Sequence, residues 1–272
     1  MSTRIAHISD IHFGAVDLAA AAALAQRIND ARVDGVIITG DLTQAGRKRE
    51  FQQAADYVNS LEAPVLIVPG NHDTPVYNLG RRFFDPWGRF QHYMTGDLSP
   101  VLAFKDVVAV GLNSARRAGL SLDWSLGRLS SRQLDDAARK LRSATQATLK
   151  LVAFHHPVLP GPGRAGMALV NQPERALNAF AEAGGDVLLT GHAHIAQAEI
   201  HDSAEHRPII VTAAGTAAST RLRGELPSYN LLSWDGRELK VGIHRYSSNG
   251  YATDFEKTFV RHNEIWTKTE TQ

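Results

Sequence analysis

Five short polar motifs, each placed just past an apolar run, set the chemistry open to this chain. Asp10 and His12 follow RIAHIS, Asp41 follows GVIIT and a glycine, and Asn71, His72 and Asp73 follow VLIVP and a glycine. His155 and His156 follow KLVAF, and His192 and His194 follow DVLLT and a glycine. Carboxylate, amide oxygen and imidazole are donors to divalent cations, and a chain with no cysteine has no thiolate to add. A short apolar run that breaks into glycine and polar residues reads as a buried parallel strand. In open α/β sheets, ligands bind beyond the carboxyl ends of such strands. Five strand ends can therefore deliver these groups to one place, and the set reads as one dinuclear metal site.

The elements that must position them alternate. Helical periodicity covers Leu18 to Arg32, Lys48 to Leu61 and Ser131 to Leu141, the last opened by a capping box, Ser130 with Gln133. A fourth helix is expected from Pro173 to Ala183, with proline in its first turn and Gly184-Gly185 as its stop. Strands alternating with helices imply βαβ units and a parallel sheet. From about residue 195 the pattern turns β-rich. Segments at Ala198–Ile200, Pro208–Thr212, Tyr229–Trp234, Leu239–Arg245 and Glu256–Arg261 are separated by turns such as Asp235-Gly236 and Asn249-Gly250. They are expected to form a second, largely antiparallel sheet on the first. Between about 74 and 100 lies an irregular insert rich in aromatics and arginine, a candidate lid or contact between copies in a homo-oligomer. A length of 272 residues suits one domain, 1–272.

Composition narrows the partners. With 29 Lys and Arg against 28 Asp and Glu, the net charge of +1 gives no global field for holding nucleic acid. The Ala-rich stretch Leu18 to Ala25 is too short to span a bilayer. No charged segment followed by an apolar one precedes the first strand at Arg4. With the lack of cysteine, this leads to an expected cytoplasmic location and a small-molecule partner.

The ordered set D-x-H, G-D, G-N-H-D, H and G-H-x-H, running from Asp10 to His194, resembles that of the calcineurin-like metallophosphoesterase family. Within it, the chain is similar to the bacterial cyclic-nucleotide and glycerophosphodiester phosphodiesterases, and its SYNLLSWDG stretch also looks like that branch. The resemblance implies a four-layer α-β-β-α sandwich with mixed sheets and the metal site at strand C-terminal ends. It places Asp10, His12 and His194 on one metal and Asn71, His155 and His192 on the other. Asp41 is the candidate bridge, since a carboxylate has two oxygens, and Asp10 is a second group able to reach both metals. Mixed oxygen and nitrogen donors suit two divalent transition-metal ions, Mn, Fe, Co or Zn, better than Mg or Ca. In the D-x-H and H-x-H pairs, alternation along extended backbone would turn both members to one side.

Two such cations can lower the pKa of a shared water toward about 7 and generate the hydroxide that attacks phosphorus. By resemblance His72 points at the substrate and is the candidate for stabilising or protonating the leaving oxygen. Asp73 either orients it or caps the next segment. His155 fits the family's H-x-P pattern, which leaves His156 behind the ligands. Taken singly, Asp10 reads equally as a turn residue, Asn71 as a left-handed turn position and His155 as a core histidine; the complete ordered set is what points to metal. His7, His92, His201, His206, His244 and His262 lack that support and read as structural or surface residues.

Substrate class rests on less. In the phosphoprotein phosphatase branch an arginine that clamps a dianionic monoester follows the G-D motif, whereas here Ala45 occupies that place. A diester carries one negative charge and needs less clamping. Arg81, Arg82, Arg89, Arg116, Arg117, Arg164, Arg221 and Arg223 could reach the site from loops. The alternatives are a phosphomonoesterase or nucleotide pyrophosphatase on the same scaffold, a nuclease disfavoured by the charge balance, and a metal-free interaction scaffold.

Overall fold

Strands buried on both faces decide the layering. In the computed structural model, which describes residues 2–117, 125–161, 168–203, 205–222 and 224–269, β1 (Thr3–Ile8), β2 (Gly35–Thr39) and β3 (Val65–Val68) run parallel. Helices α1 (Leu18–Asp30) and α2 (Lys48–Asn59) connect them. Alternate side chains serve two cores: Ile37 of β2 faces a central core, while Val36 and Ile38 pack with Leu24, Ile28 and Phe51 of the helices. Both helices stop two residues short of the expected ends. Arg32 lies beyond α1 in left-handed backbone (φ 47°), and the Ser60 N–H closes α2 on the Asp56 and Tyr57 carbonyls.

The insert folds into two short helices, α3 (Leu79–Phe84) and α4 (Gly88–Tyr93), instead of an irregular segment. Phe90 is fully buried in the α1/α2 core, and Tyr93 stacks on Phe51 at 6.1 Å, so α4 is anchored on α2. Strand β4 (Val101–Phe104) then pairs antiparallel with β5 (Val107–Gly111). From β5 the βαβ pattern repeats through α5 (Ser131–Ser143), β6 (Leu149–Ala153), α6 (Pro173–Glu182) and β7 (Val187–Thr190). The expected capping box is present: Ser130 N–H donates to Gln133 Oε1 at 3.0 Å, and Ser130 Oγ accepts from the Gln133 N–H at 3.4 Å.

The C-terminal strands do not build a sheet of their own. After β8 (Gln197–Ser203), β9 (His206–Ala213) pairs parallel to β7, while β10 (Ser228–Trp234) pairs antiparallel to β1. Strands β11 (Glu238–Ser247), β12 (Gly250–His262) and β13 (Ile265–Lys268) continue outward from β10. An uncovered parallel edge leaves unpaired N–H and C=O groups, and both halves offer one, at β1 and at β7. The late strands divide between those edges. The result is two mixed sheets, β13-β12-β11-β10-β1-β2-β3 and β4-β5-β6-β7-β9-β8.

Ile5, Ile37, Val68, Leu232 and Trp234 of the first sheet meet Val107, Leu151, Val187 and Ile210 of the second in one central core. Helices α1 and α2 cover the outer face of the first sheet, and α5 and α6 that of the second. This is the four-layer α-β-β-α sandwich. Among the described residues, no helix is long and apolar enough to cross a membrane.

Candidate metal centre

The parallel ladders do not stop where the strands do. Asp10 N–H donates to the Gly40 carbonyl (3.1 Å), His12 N–H to Asp41 (3.0 Å), Gly191 N–H to His155 (2.9 Å) and Ala217 N–H to Ser9 (2.9 Å). The strand-end loops are thereby stitched to one another across the junction of the two sheets. Asp10, His12, Asp41, His192 and His194 have φ of 55°, 55°, 52°, 65° and 58°. The pairs Asp10/His12 and His192/His194 therefore do not face the site by strand alternation, as the sequence suggested. Each residue is turned inward by left-handed backbone, which asparagine, aspartate and histidine adopt more readily than other side chains. Ile11 and Ala193 between them are buried. Two glycines make the loops close enough: a Cβ on Gly70 would stand 2.1 Å from Asp41 Oδ1, and one on Gly191 would stand 1.9 Å from Ser9 Oγ.

All the expected ligand positions converge. Donor atoms of Asp10, His12 and His194 lie within 4.8 Å of one another, as do those of Asp41, His155 and His192. In the first group Asp10 Oδ1 is 3.2 Å from His194 Nε2 and 3.7 Å from His12 Nε2. In the second, Asn71 Oδ1 lies 3.2 Å from His155 Nε2 and 3.1 Å from His192 Nδ1. A single oxygen, Asp41 Oδ2, stands between the groups, 3.8 Å from His12 Nε2 and 3.4 Å from His155 Nε2. The second oxygen of Asp10 is occupied differently, accepting the His192 N–H at 3.0 Å.

Hydrogen bonds behind the rings decide which nitrogen faces inward. His155 Nδ1 donates to the Thr39 carbonyl at 2.7 Å, and His194 Nδ1 meets Thr216 Oγ1, so each presents Nε2 to the site. Asp10 Oδ1 and His12 Nε2 are buried without a hydrogen-bond partner. Converging lone pairs that share no donor are the complement of a cation, and the residues present fit a pair of metal ions.

Electrostatics agree. Burial alone would raise the Asp10 and Asp41 carboxyls, but the imidazoles around them, His194 for Asp10 and His155 for Asp41, hold both below the ordinary carboxylate range. Burial likewise disfavours a charged His155, yet Asp41 beside it lifts it to about 9, while burial and His155 push His192 down to about 4.

Around this core stand the residues expected to act on substrate. The His72 backbone N–H donates to Asp41 Oδ1 (2.8 Å) and its Nδ1 donates to the Gln44 carbonyl (2.7 Å), which leaves Nε2 as an acceptor. Its ring meets that of His12 edge-on at 5.0 Å. Arg221 Nη1 lies 3.4 Å from His72 Nε2 and 3.3 Å from Gln44 Oε1. Arg81 instead pairs with Asp85, Arg82 reaches the Pro75 carbonyl and Arg89 the Gly46 carbonyl. Arg116 and Arg117 line a cleft with Trp87, Asn113 and Arg128, and Arg164 and Arg223 lie outside the described residues. Asp73 accepts from the backbone of Gly70, Leu42 and Thr43, so it laces two of the strand-end loops together instead of capping the next segment. Burial and the charge of Asp41 push its carboxyl up to about 6. His156 is held by Ser114 Oγ at 2.9 Å and lies with its ring 5.0 Å from that of His155. His92 packs against Tyr93 within the insert.

Sequence reasoning missed Thr216, which orients His194. Its segment, PIIVTAAG followed by threonine, breaks from an apolar run at a glycine as the motif strands do, and that pattern was the available signal. Thr39 and Gln44 act through backbone carbonyls, which no side-chain pattern reveals.

A calcineurin-like phosphoesterase profile matches residues 3–196. The chain is 30% identical over 174 residues to the glycerophosphodiester phosphodiesterase GpdQ of Enterobacter lignolyticus, covering 57% of each chain. It is 28% identical over 204 residues to a probable cyclic nucleotide phosphodiesterase of Synechococcus sp., covering 71% of this chain and 74% of that one. The match to the first relative thus spans little more than half of its length. In structure, the chain resembles the purple acid phosphatase PPD1 of yellow lupin, with a TM-score of 0.68, 12% identity, and coverage of 94% of this chain and 53% of the other. All five motifs fall within the matched residues, and this chain belongs to the calcineurin-like phosphoesterase family.

Proposed function

We propose that the chain hydrolyses small phosphodiesters with two divalent transition-metal ions, one held by Asp10, His12 and His194 and the other by Asn71, His155 and His192. Asp41 is shared between them. The observation that carries this reading is the position of Asp41 Oδ2, facing a histidine of each group. Oxygen and imidazole donors together suit Mn, Fe, Co or Zn. When bound, such a pair lowers the pKa of a shared water toward about 7 and offsets charge on the phosphoryl group.

The protein's own residues supply the rest. Asp41 fixes the spacing of the two groups and, through the His72 N–H, ties the general-acid candidate to the same carboxylate. The Gln44 carbonyl holds the His72 proton on Nδ1, so His72 acts as general acid through Nε2 once that nitrogen has taken a proton from water and released the Arg221 N–H it accepts here. Arg221 places a guanidinium beside that nitrogen, where it meets the anionic substrate. Ala45 is buried, with its N–H donated to Glu50 Oε2 at 2.8 Å, and brings no second cation to the position where the monoesterase branch has arginine. Among the described residues Arg221 is the cation beside His72, a single clamp that matches the single charge of a diester, and both relatives carry phosphodiesterase names. The test is kcat/KM for bis-p-nitrophenyl phosphate against p-nitrophenyl phosphate in the Mn²⁺-loaded protein. The diester should be the better substrate. A preference for the monoester would overturn the reading in favour of a phosphomonoesterase.

A further inference from the structure

A second set of metal-ligand side chains lies between α6 and the β8–β9 hairpin and uses none of the residues above. Glu174 in the first turn of α6, His201 on β8 and His206 on β9 each bring a donor atom to within 4.8 Å of the others. The two imidazole rings are 5.4 Å apart at 37°, and Glu174 Oε2 is 3.7 Å from His201 Nε2, beyond hydrogen-bond length. We propose that these three residues bind a third divalent transition-metal ion, of the zinc type, separate from the dinuclear centre.

Three observations carry the proposal. First, His206 Nδ1 donates to the Arg207 carbonyl at 2.7 Å, which fixes the tautomer and leaves Nε2 as a bare lone pair. A backbone carbonyl behind the ring is how metal-binding histidines are commonly oriented. Second, the Nε2 atoms of both His201 and His206 are buried without a hydrogen-bond partner. An imidazole nitrogen shielded from solvent in this way loses its hydration, and a shared cation restores a partner to both at once. Third, the hairpin is built to bring the rings together. His201 pairs with Ile209 and Ser203 with His206, so the register slips by one residue between them. A bulge re-aims the side chains beside it, here setting His201 next to His206.

The donor chemistry selects the ion. Two imidazoles and one carboxylate favour zinc or a neighbouring transition metal over Ca or Mg. Zinc sits about 2.0–2.2 Å from such donors, so tetrahedral donors stand roughly 3.4 Å apart, a small side-chain adjustment from the distances here. Asn178, one turn after Glu174 on α6, carries an Oδ1 that is buried without a partner, while its Nδ2 donates to Glu205 Oε2, next in sequence to His206, at 2.8 Å. Bound there, the ion would pin the hairpin to α6. The chain leaves β9 at Ala213 and reaches Thr216, which meets His194, three residues later, so the two metal sites lie on separate segments joined by this strand.

Equilibrium dialysis of the full chain against Zn²⁺, followed by elemental analysis, tests this directly. Wild type should hold three ions per chain, and His206→Ala and His201→Ala two, each with diesterase activity retained. Asp41→Ala should keep the ion at Glu174, which separates failure of this proposal from failure of the dinuclear reading. Glu174 is exposed, so Glu174→Gln leaves the fold intact and guards against misfolding of the histidine variants. It should weaken the third binding event at least tenfold. Equal zinc content in wild type, His206→Ala and Glu174→Gln would overturn the proposal.

Discussion

At the scale of single residues, Asp41 and His72 share a hydrogen bond yet should fail in different ways. Asp41 Oδ2 faces both groups of donors, so Asp41→Ala should detach both ions and remove more activity than His12→Ala, which disturbs one group. Elemental analysis and kcat measured on the same preparations check this; near-wild-type turnover in Asp41→Ala with His12→Ala inactive would assign the bridge elsewhere. His72 stands beside the donors with its Nδ1 tied to Gln44, so His72→Ala should keep the metals and the fold. Its loss should depend on the leaving group: about 10²–10⁴-fold for a poor alkoxide and less for p-nitrophenolate, which departs without a proton. Equal losses on both substrates would make it an electrostatic stabiliser instead. The identity of these residues was legible in the sequence because carboxylate, amide and imidazole types recur after apolar runs. Their backbone was not. A left-handed Asp10 or His194 looks the same in sequence as an extended one, and the turn is imposed by contacts with loops far along the chain.

At the scale of elements, the strand-end loops must approach each other more closely than any side chain on Gly70 allows. Gly70→Ala places a methyl against Asp41 Oδ1 and the Asp41 N–H, and should destabilise the protein by about 1–3 kcal/mol while lowering its metal content. Gly96 has nothing within 4 Å of its added Cβ, and Gly96→Ala should stay within about 0.5 kcal/mol of wild type. Urea denaturation of the two variants makes the comparison, and equal stability would show that the loops yield. Helices were the legible elements, since the Ser130 capping box and the spacing of Leu134, Ala137, Ala138 and Leu141 are local signals. The sheet membership of the late strands was not legible. Ser228–Trp234 carries no mark of pairing with Thr3–Ile8, because the partner is chosen by an edge left open more than two hundred residues earlier. The short helix that carries Phe90 was hidden by the irregular composition around it.

For the whole molecule, two buried histidines outside the site add to how stability responds to acid. Burial pushes His7 down to about 3 and His244 down to about 4, against an ordinary 6.5. In the folded protein both stay neutral while the unfolded chain takes up protons, so their contribution is full above pH 6.5. It is lost as pH falls through the window from 6.5 to about 4 and, for His7, about 3. The slope should reach about 1.4 kcal/mol per pH unit for each histidine. His244 stacks on Tyr229 at 4.8 Å, and His244→Phe should keep that contact and flatten the fall in urea midpoint between pH 7 and pH 5. An unchanged slope would show that His244 does not stay neutral in the folded state. The four-layer sandwich holds two groups of donors at the junction of its sheets, and the central claim is that two metal ions there carry phosphodiester hydrolysis. The most direct measurement is bis-p-nitrophenyl phosphate hydrolysis by the chain stripped with a chelator, before and after Mn²⁺ is restored. Activity should be lost on stripping and return as about two ions per chain bind at the five strand ends, beyond any ion held at Glu174. Full activity in the metal-free chain would contradict it.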